Sequence, residues 1–260
     1  MSTIPNIKEY NSAMKKSLLD KIFFMDKVEA TVFVDYGCAD GTLISFLHSL
    51  FPEFMFFGFD ISEDMIKIAK TNNPDIADNF STDWDYIKDQ IAINGHIKGN
   101  KTAVILSSIL HEVYSYGTSK DVEDFWNNIW NEEFNYVSFR DMMPSRTLDK
   151  QSEINDVLKI YRKANTKDLY DFERNWGSIE NNKNLMHFLL KYRYSANWSR
   201  EVKENYFPVN REELLSNLPT GYEIIFHEHF ILPFLKNRVK EDFDIDIKDN
   251  THLKLILRRK

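Results

Sequence analysis

The residues best suited to chemistry stand at the ends of two apolar segments. The first segment, residues 32–36, carries Asp35 and enters a glycine turn at 37–41, and the second, residues 54–59, is followed by Asp60. Glycine lets a backbone approach a ligand where a Cβ atom would collide. An acid at the end of the second strand can accept hydrogen bonds from a ribose diol. The pattern therefore predicts a pocket for an adenosine-bearing cofactor.

The spacing of the glycines distinguishes between two adenosine cofactors. A dinucleotide pyrophosphate on a helix N-terminus requires Gly-x-Gly-x-x-Gly, whereas residues 37–41 read GCADG. Asp40 in this turn would also meet a phosphate with like charge. A sulfonium cofactor has no phosphate and a positive centre, so that a nearby carboxylate such as Asp35 favours it. An NAD(P)-dependent oxidoreductase is the less favoured alternative.

The two motifs resemble those of the class I S-adenosylmethionine (SAM)-dependent methyltransferases. The first is DYGCADG at residues 35–41 and the second is GFDIS at residues 58–62. The resemblance implies SAM as cofactor and S-adenosylhomocysteine (SAH) as product. The sequence departs from the family at Ala39, where many members have a third glycine.

The resemblance also implies which residues hold the cofactor. The Asp60 position binds both ribose hydroxyls, and the Ile61 position packs on the adenine. An acid after the third strand often takes the adenine amino group. That acid is Asp83 here, followed by Trp84, and a helix N-cap with a core tryptophan is the alternative interpretation. The predicted cofactor site comprises Asp35, Gly37, Cys38, Gly41, Asp60, Ile61, Asp83, Trp84 and Ser107.

Composition excludes several other classes of protein. The chain has 260 residues, 43% of them hydrophobic, which is ample for a packed core. Its net charge of −7 does not favour nonspecific nucleic-acid binding, which needs a basic face. The one cysteine, Cys38, allows no internal disulfide. The sequence shows neither a secretory signal nor an apolar run of membrane-spanning length, which predicts a cytoplasmic protein without a membrane partner.

The order of elements predicts the fold. Strands and helices alternate from residue 31 to about residue 140, as in a parallel sheet with right-handed crossovers. The last two strands lack a clear crossover helix between them, which favours an antiparallel pair. We therefore predict an α/β fold with a doubly wound, Rossmann-like, seven-stranded sheet. The sheet is mostly parallel with an antiparallel C-terminal edge pair, and a helical insertion separates strands five and six.

Three units follow from this layout. Residues 1–30 form an N-terminal helical lid, by analogy with the resembled family. Residues 31–144 and 211–260 form the methyltransferase core. Residues 145–210, which are charged, aromatic and helical, form the insertion that covers the substrate.

The segment after the fourth strand carries the candidate catalytic residues. Ligands of doubly wound sheets lie beyond the carboxyl ends of the strands. His111 is the base best matched to neutral pH if the acceptor is a hydroxyl or an amine. Glu112 either orients His111 or holds a cationic substrate, and Tyr114 is a candidate substrate contact. A purely structural role for His111 and Glu112 is the alternative.

Two further groups of residues are candidate ligand sites. Arginines interleaved with aromatic residues in the insertion can stack on a base or grip an anion, which makes Arg193 and Trp198 candidate substrate contacts. Packing in a helical core is the alternative. His227 and His229 share a strand face, but no third ligand is evident, so no metal is predicted.

The combined prediction is a methyltransferase that moves a methyl group from SAM to an oxygen or nitrogen acceptor. A small-molecule acceptor is favoured by the acidic composition and the lid. RNA or a nucleotide is the alternative within the same chemistry. A protein that binds SAM without catalysis is a further alternative.

Overall fold

The structure is a computed structural model and describes residues 18–260. Residues 1–17 of the predicted lid lie outside the described residues. The strands are β1 (Val32–Tyr36), β2 (Met55–Phe59), β3 (Phe80–Ser81), β4 (Thr102–Ser107), β5 (Tyr136–Met142), β6 (Tyr222–Phe230) and β7 (His252–Arg259).

Twelve α-helices are found within residues 18–260. They are α1 (Leu18–Lys21), α2 (Thr42–Leu50), α3 (Glu63–Asn72), α4 (Trp84–Ile91), α5 (Leu110–Tyr116), α6 (Ser119–Asn131), α7 (Ile154–Lys163), α8 (Thr166–Trp176), α9 (Asn182–Lys191), α10 (Trp198–Glu201), α11 (Arg211–Ser216) and α12 (Pro233–Phe243). A π-helical turn, Ala92–Ile97, continues α4, and 3₁₀ turns occur at Pro74–Asn79, Arg146–Leu148 and Ser195–Asn197.

The seven strands form one sheet in the order β3-β2-β1-β4-β5-β7-β6. Strands β1 to β5 pair in parallel, whereas β7 is antiparallel to both β5 and β6. This arrangement confirms the predicted fold class. The strand order reverses between β1 and β4, and such a switch point is where doubly wound sheets bind ligands.

The sheet is buried on both faces because its central strands are almost entirely apolar. Every residue of β1 is buried, including Asp35, and β4 is buried from Thr102 to Leu106. On one face the side chains of β1 and β4 pack with α4 and α6, and on the other they pack with α2 and α3. Continuous burial of this kind is the signature of parallel strands covered by helices on both sides.

The connection between β6 and β7 differs from the prediction, since it contains the 11-residue helix α12. Its apolar residues Leu235, Val239 and Phe243 recur on one helical face and are fully or almost fully buried. They pack in the same core as the helices of the insertion. The predicted unit boundaries stay a prediction, but residues 231–247 share the insertion's core.

Among residues 18–260, no helix combines the length and the apolar character needed to cross a membrane.

Candidate functional site

A narrow crevice opens where the carboxyl ends of β1 and β4 diverge. Four of the predicted cofactor residues line it together, and Gly41 adjoins them in the same turn. The lining residues are Leu18, Lys21, Asp35, Gly37, Cys38, Asp40, Thr42, Leu43 and Ser107. The structure therefore brings together the glycine turn, the end of β4 and the described part of the predicted lid.

The glycine turn is held in a conformation that glycine favours. Gly37 and Gly41 have φ angles of +82° and +74°. A Cβ atom on Gly37 would lie 2.6 Å from Cδ1 of Ile109, so that position also has no room for a side chain. Ala39, between the two glycines, has a φ of +47°, in the left-handed region that disfavours a residue with a Cβ atom.

Asp60 ties the glycine turn to the next helix. Its Oδ2 atom accepts a hydrogen bond from the Ala39 amide at 2.9 Å, and its Oδ1 atom accepts one from the Ser62 amide at 2.9 Å. Burial raises the pKa of Asp60, and these two amides oppose the rise. Ile61 beside it is 69% exposed, so the tip of β2 offers an apolar surface next to a carboxylate.

Asp83 and Trp84 lie beyond β3, as predicted. Asp83 caps α4, because its Oδ1 atom accepts hydrogen bonds from the amides of Asp85 at 2.9 Å and Tyr86 at 3.4 Å. Trp84 packs against Tyr36 and Phe59. The alternative interpretation, a helix N-cap at Asp83 followed by a tryptophan packed against the core, therefore describes these two residues. The buried Nε1 atom of Trp84 has no hydrogen-bond partner in the part of the chain that the structure describes.

Opposite charges face each other in the crevice. Burial raises the pKa of Asp35 to about 7, and the positive charge of Lys21 opposes that rise. Burial lowers the pKa of Lys21 to about 8, with a further contribution from Arg140. Burial also raises the pKa of Cys38 well above its usual range, so its thiol is neutral and unsuited to nucleophilic chemistry. The Ser107 hydroxyl is buried and has no partner within residues 18–260.

His111 is clamped between two carboxylates. Its Nδ1 atom lies 2.6 Å from Oδ1 of Asp141 on β5, and its Nε2 atom lies 3.0 Å from Oε1 of Glu204 in the insertion. Burial by itself would lower the pKa of His111, but the two carboxylates outweigh burial and hold it well above the usual range. At neutral pH His111 is therefore an imidazolium that donates from both nitrogens.

The insertion carries an arginine that continues this chain of charges. Arg200 lies 3.1 Å from Oε1 of Glu112 and 3.5 Å from Oε2 of Glu204. Burial would raise the pKa of Glu204, but His111, Arg200 and Lys191 hold it at about 2. Burial and the charge of Glu204 raise the pKa of Glu112. The sequence places Asp141 at the end of β5, either at the border of the substrate pocket or in a structural ion pair, and Arg200 among the arginines and aromatic residues of the insertion. It does not predict the contacts of Asp141 and Glu204 with His111 or of Arg200 with Glu112, because no local motif reports contacts between such distant segments.

This cluster has ligand atoms that a metal ion could also use. One oxygen or nitrogen atom each from His111, Glu112 and Glu204 lies within 4.8 Å of the others. The His111 proton and the Arg200 guanidinium already supply positive charge there. His229, one of the two histidines weighed as metal ligands, instead hydrogen-bonds the Met143 carbonyl at 3.0 Å.

The three predicted substrate contacts lie in different surroundings. The Tyr114 hydroxyl accepts a hydrogen bond from Nε1 of Trp126 on α6 at 3.1 Å. Trp198 is buried in the core of the insertion. Arg193 lies between the rings of Tyr194 and Phe234, with its guanidinium carbon 4.8 Å and 5.0 Å from their centroids. The structure therefore does not bring these three residues together.

The strain at Ala39 leads to a prediction about stability. Replacing Ala39 with glycine removes an unfavourable left-handed conformation of about 1 kcal/mol. Part of this gain is lost because glycine increases the entropy of the unfolded chain. We expect Ala39→Gly to raise the free energy of unfolding by about 0.5 kcal/mol, measured by denaturant titration. Ala196→Gly, an exposed alanine in a helical turn without positive φ, is the control and should lower it.

The clamp around His111 predicts how stability depends on pH. The folded pKa of Glu204, about 2, lies below its ordinary value of 4.5, so its stabilisation is complete above pH 4.5 and is lost as the pH falls towards 2. The folded pKa of His111 lies above 6.5, so its stabilisation is complete below pH 6.5 and is lost as the pH rises through the folded value. The clamp therefore contributes fully between pH 4.5 and 6.5.

The measurement is the free energy of unfolding across this range in the native chain and in Glu204→Gln. The variant should lose stability less steeply in acid, and its alkaline loss should begin at lower pH because His111 has lost one carboxylate partner. Glu123→Gln, at an exposed residue of α6, is the control. Its free energy of unfolding should fall in acid and in alkali as that of the native chain does. Parallel curves for the native chain and Glu204→Gln would show that the clamp does not form.

Comparison with known proteins gives structural matches only. No protein-family model matches the sequence, and no curated protein matches it. The pyocyanin biosynthetic protein PhzM is similar at a TM-score of 0.51 with 12% identity, covering 96% of this chain and 57% of the PhzM chain. The plantazolicin methyltransferase BamL, solved with SAH, gives a TM-score of 0.47 with 14% identity, covering 96% of this chain and 87% of that chain.

A SAM-dependent methyltransferase from Archaeoglobus fulgidus gives a TM-score of 0.46 with 12% identity, covering 94% of each chain. At these identities the likeness concerns the fold alone. The chain has the fold of the class I SAM-dependent methyltransferases.

Proposed function

We propose that the protein is a SAM-dependent methyltransferase that transfers a methyl group to an oxygen or nitrogen atom of a small molecule. One observation carries this proposal. At the switch point of the sheet, a glycine turn with three left-handed residues and a buried acid on β1 lie at one crevice, and the acid after β2 accepts a hydrogen bond from that turn.

The crevice suits the two charged ends of the methionine half of SAM. Asp35 can face its ammonium group, and Lys21, which lines the same crevice, can face its carboxylate. The unpartnered hydroxyl of Ser107 can supply a further hydrogen bond. Complementary charges in a buried site act in a low dielectric, where they contribute most to binding.

The nucleoside half of SAM fits the neighbouring edge of the sheet. Each carboxylate oxygen of Asp60 accepts one backbone amide and retains a lone pair for a ribose hydroxyl. The exposed side chain of Ile61 offers an apolar surface for the adenine. The unpartnered indole nitrogen of Trp84 is a donor near the same edge. Gly37 and Gly41 give the turn beside the cofactor its left-handed conformation.

Bound SAM supplies an electrophilic methyl group on a positively charged sulfur. The chain holds the acceptor and the methyl group in position and excludes water from them. An in-line displacement is faster when the nucleophile and the methyl group are held collinear in a dry site. The crevice walls and the lid residues Leu18 and Lys21 provide that enclosure. The insertion supports it through Glu204 and Arg200, which contact α5 beside the crevice.

The catalytic roles of His111 and Glu112 stay predictions. An imidazolium that donates from both nitrogens has no lone pair, so His111 can act as a base only after it gives up the proton that it shares with Glu204. We therefore propose that His111 is a positioning residue that joins β5 to the insertion. Glu112, held by Arg200, supports the same contact.

Cofactor binding gives a direct prediction. SAH at about 100 times its dissociation constant should stabilise the protein by about 2.7 kcal/mol, seen as a rise in melting temperature, whereas NAD should not. Asp60→Asn should weaken SAH binding roughly tenfold or more because a charged acceptor is lost. Asp89→Asn, an exposed acid on α4, is the matched control and should bind SAH like the native chain.

Transfer of a labelled methyl group tests the reaction. SAM carrying a labelled methyl group is incubated with the protein and a cell extract, with and without nuclease or protease. We expect label in a product that resists both enzymes, because the acidic chain and the enclosed crevice favour a small acceptor. Label that disappears with nuclease would instead identify RNA, and SAH binding without any transfer would favour the non-catalytic alternative.

A further inference from the structure

Arg193 is a partly buried cation whose charge is not matched by any described carboxylate. Its Nη2 atom donates a hydrogen bond to the Tyr194 hydroxyl at 2.8 Å. Its Nε and Nη1 atoms are buried and have no hydrogen-bond partner within residues 18–260. The flanking rings of Tyr194 and Phe234 hold the guanidinium in place without neutralising it.

Two other arginines near the site show the contrast. Arg140 contacts Asp20 at 2.8 Å, and Arg200 contacts both Glu112 and Glu204. A buried charge without such a partner is costly, because the guanidinium N–H groups lose water and gain nothing in return. The open donors of Arg193 therefore point to a partner that is not part of the described chain.

Arg193 is one of the positive charges that act on the buried residue His252. His252, which begins β7, is buried. Burial is the main cause that holds its pKa well below the usual range, and nearby positive charges lower it further. The other positive charges that act on it come from Arg140 and His111. Arg140 and His111 each have a carboxylate partner, whereas Arg193 has no ion-pair partner among residues 18–260.

A short series of contacts connects His252 with the crevice. Met142 of β5 lies beside His252, and Arg140 lies beside Lys254, in the antiparallel pairing of β5 with β7. Arg140 also donates a hydrogen bond to the Ser108 hydroxyl at 2.9 Å. Ser108 follows Ser107, which lines the crevice. A molecule that extends from the crevice past Ser108 and Arg140 therefore approaches His252, on which the charge of Arg193 acts.

We propose that Arg193 binds an oxyanion of the methyl acceptor, so that the acceptor is a small molecule carrying a carboxylate or a phosphate. This inference rests on the proposed function and adds the chemical class of the substrate. The oxyanion pairs with the guanidinium and is not itself methylated. Charge-assisted hydrogen bonds from an arginine are about twice as strong as neutral ones, and they would fix the orientation of the acceptor.

The test uses the full chain saturated with SAH and compares how anionic and neutral aromatic ligands change its melting temperature. Benzoate and phenyl phosphate are the anionic probes, and benzamide is the neutral counterpart of benzoate. Each is added at millimolar concentration and constant ionic strength, and the melting temperature is measured. We expect the anions, but not benzamide, to raise it, and the larger rise of the two anions identifies carboxylate or phosphate as the preferred group.

Arg193→Gln should weaken the binding of the preferred anion roughly 10- to 100-fold. Arg162→Gln, an exposed arginine of α7, is the matched control and should leave binding unchanged. Arg193→Lys keeps a cation between the two rings and replaces the glutamine variant if that variant does not fold. It should bind the anion more weakly than the native chain, because lysine lacks the planar array of donors.

Failure of this proposal is distinguishable from failure of the proposed function. Arg193→Gln should retain the full stabilisation by SAH, because Arg193 does not line the crevice. The proposal is overturned if neither anion stabilises the native chain, if benzamide matches benzoate, or if the Arg193 variants bind the anion as the native chain does. Loss of the SAH response in the native chain would instead remove the proposed cofactor.

Discussion

A protonated histidine held between two buried carboxylates joins the sheet to its helical insertion. Asp141 on β5 fixes one side of His111 and also accepts a hydrogen bond from the Leu110 amide at the start of α5. Glu204, from the insertion, fixes the other side. Removing one member of such a buried set leaves an uncompensated charge, which costs about 3–5 kcal/mol. This chain of charges therefore helps to fix the insertion against β5 and α5, together with the hydrogen bonds between Ser115 and Asn205.

The crevice beside this clamp depends on a second constraint, which is the shape of the glycine turn. Asp60 accepts hydrogen bonds from the turn and from the start of α3, so β2 and the turn keep a constant separation. Gly58, two residues earlier, has no room for a side chain, because an added Cβ atom would lie 2.6 Å from Phe80 and 2.8 Å from Cys38. Packing and hydrogen bonding thus shape the crevice before any cofactor binds.

The sequence predicted those parts of the molecule whose determinants are local. The glycine turn, Asp60 and the alternation of elements are each contained in short segments, and the structure confirms the sheet that follows from them. Helix α12 was missed because its charged residues hide the regular spacing of its buried ones. The surroundings of His111 were missed for a different reason. The imidazole is visible in the sequence, but its pKa is decided by Asp141 and Glu204, which only folding brings near it.

The same reasoning explains why the cofactor can be predicted from this sequence more readily than the methyl acceptor. Residues of the core form the crevice, and their roles follow from a turn and two strand ends. The insertion supplies two arginines with different surroundings. Arg200 is matched by carboxylates and fastens the insertion to α5, whereas the Nε and Nη1 donors of Arg193 have no partner among residues 18–260. A cation with satisfied partners stabilises structure, and one without them is suited to recognition. The choice of acceptor is therefore expected to reside in the insertion, while the reactive chemistry resides in the sheet.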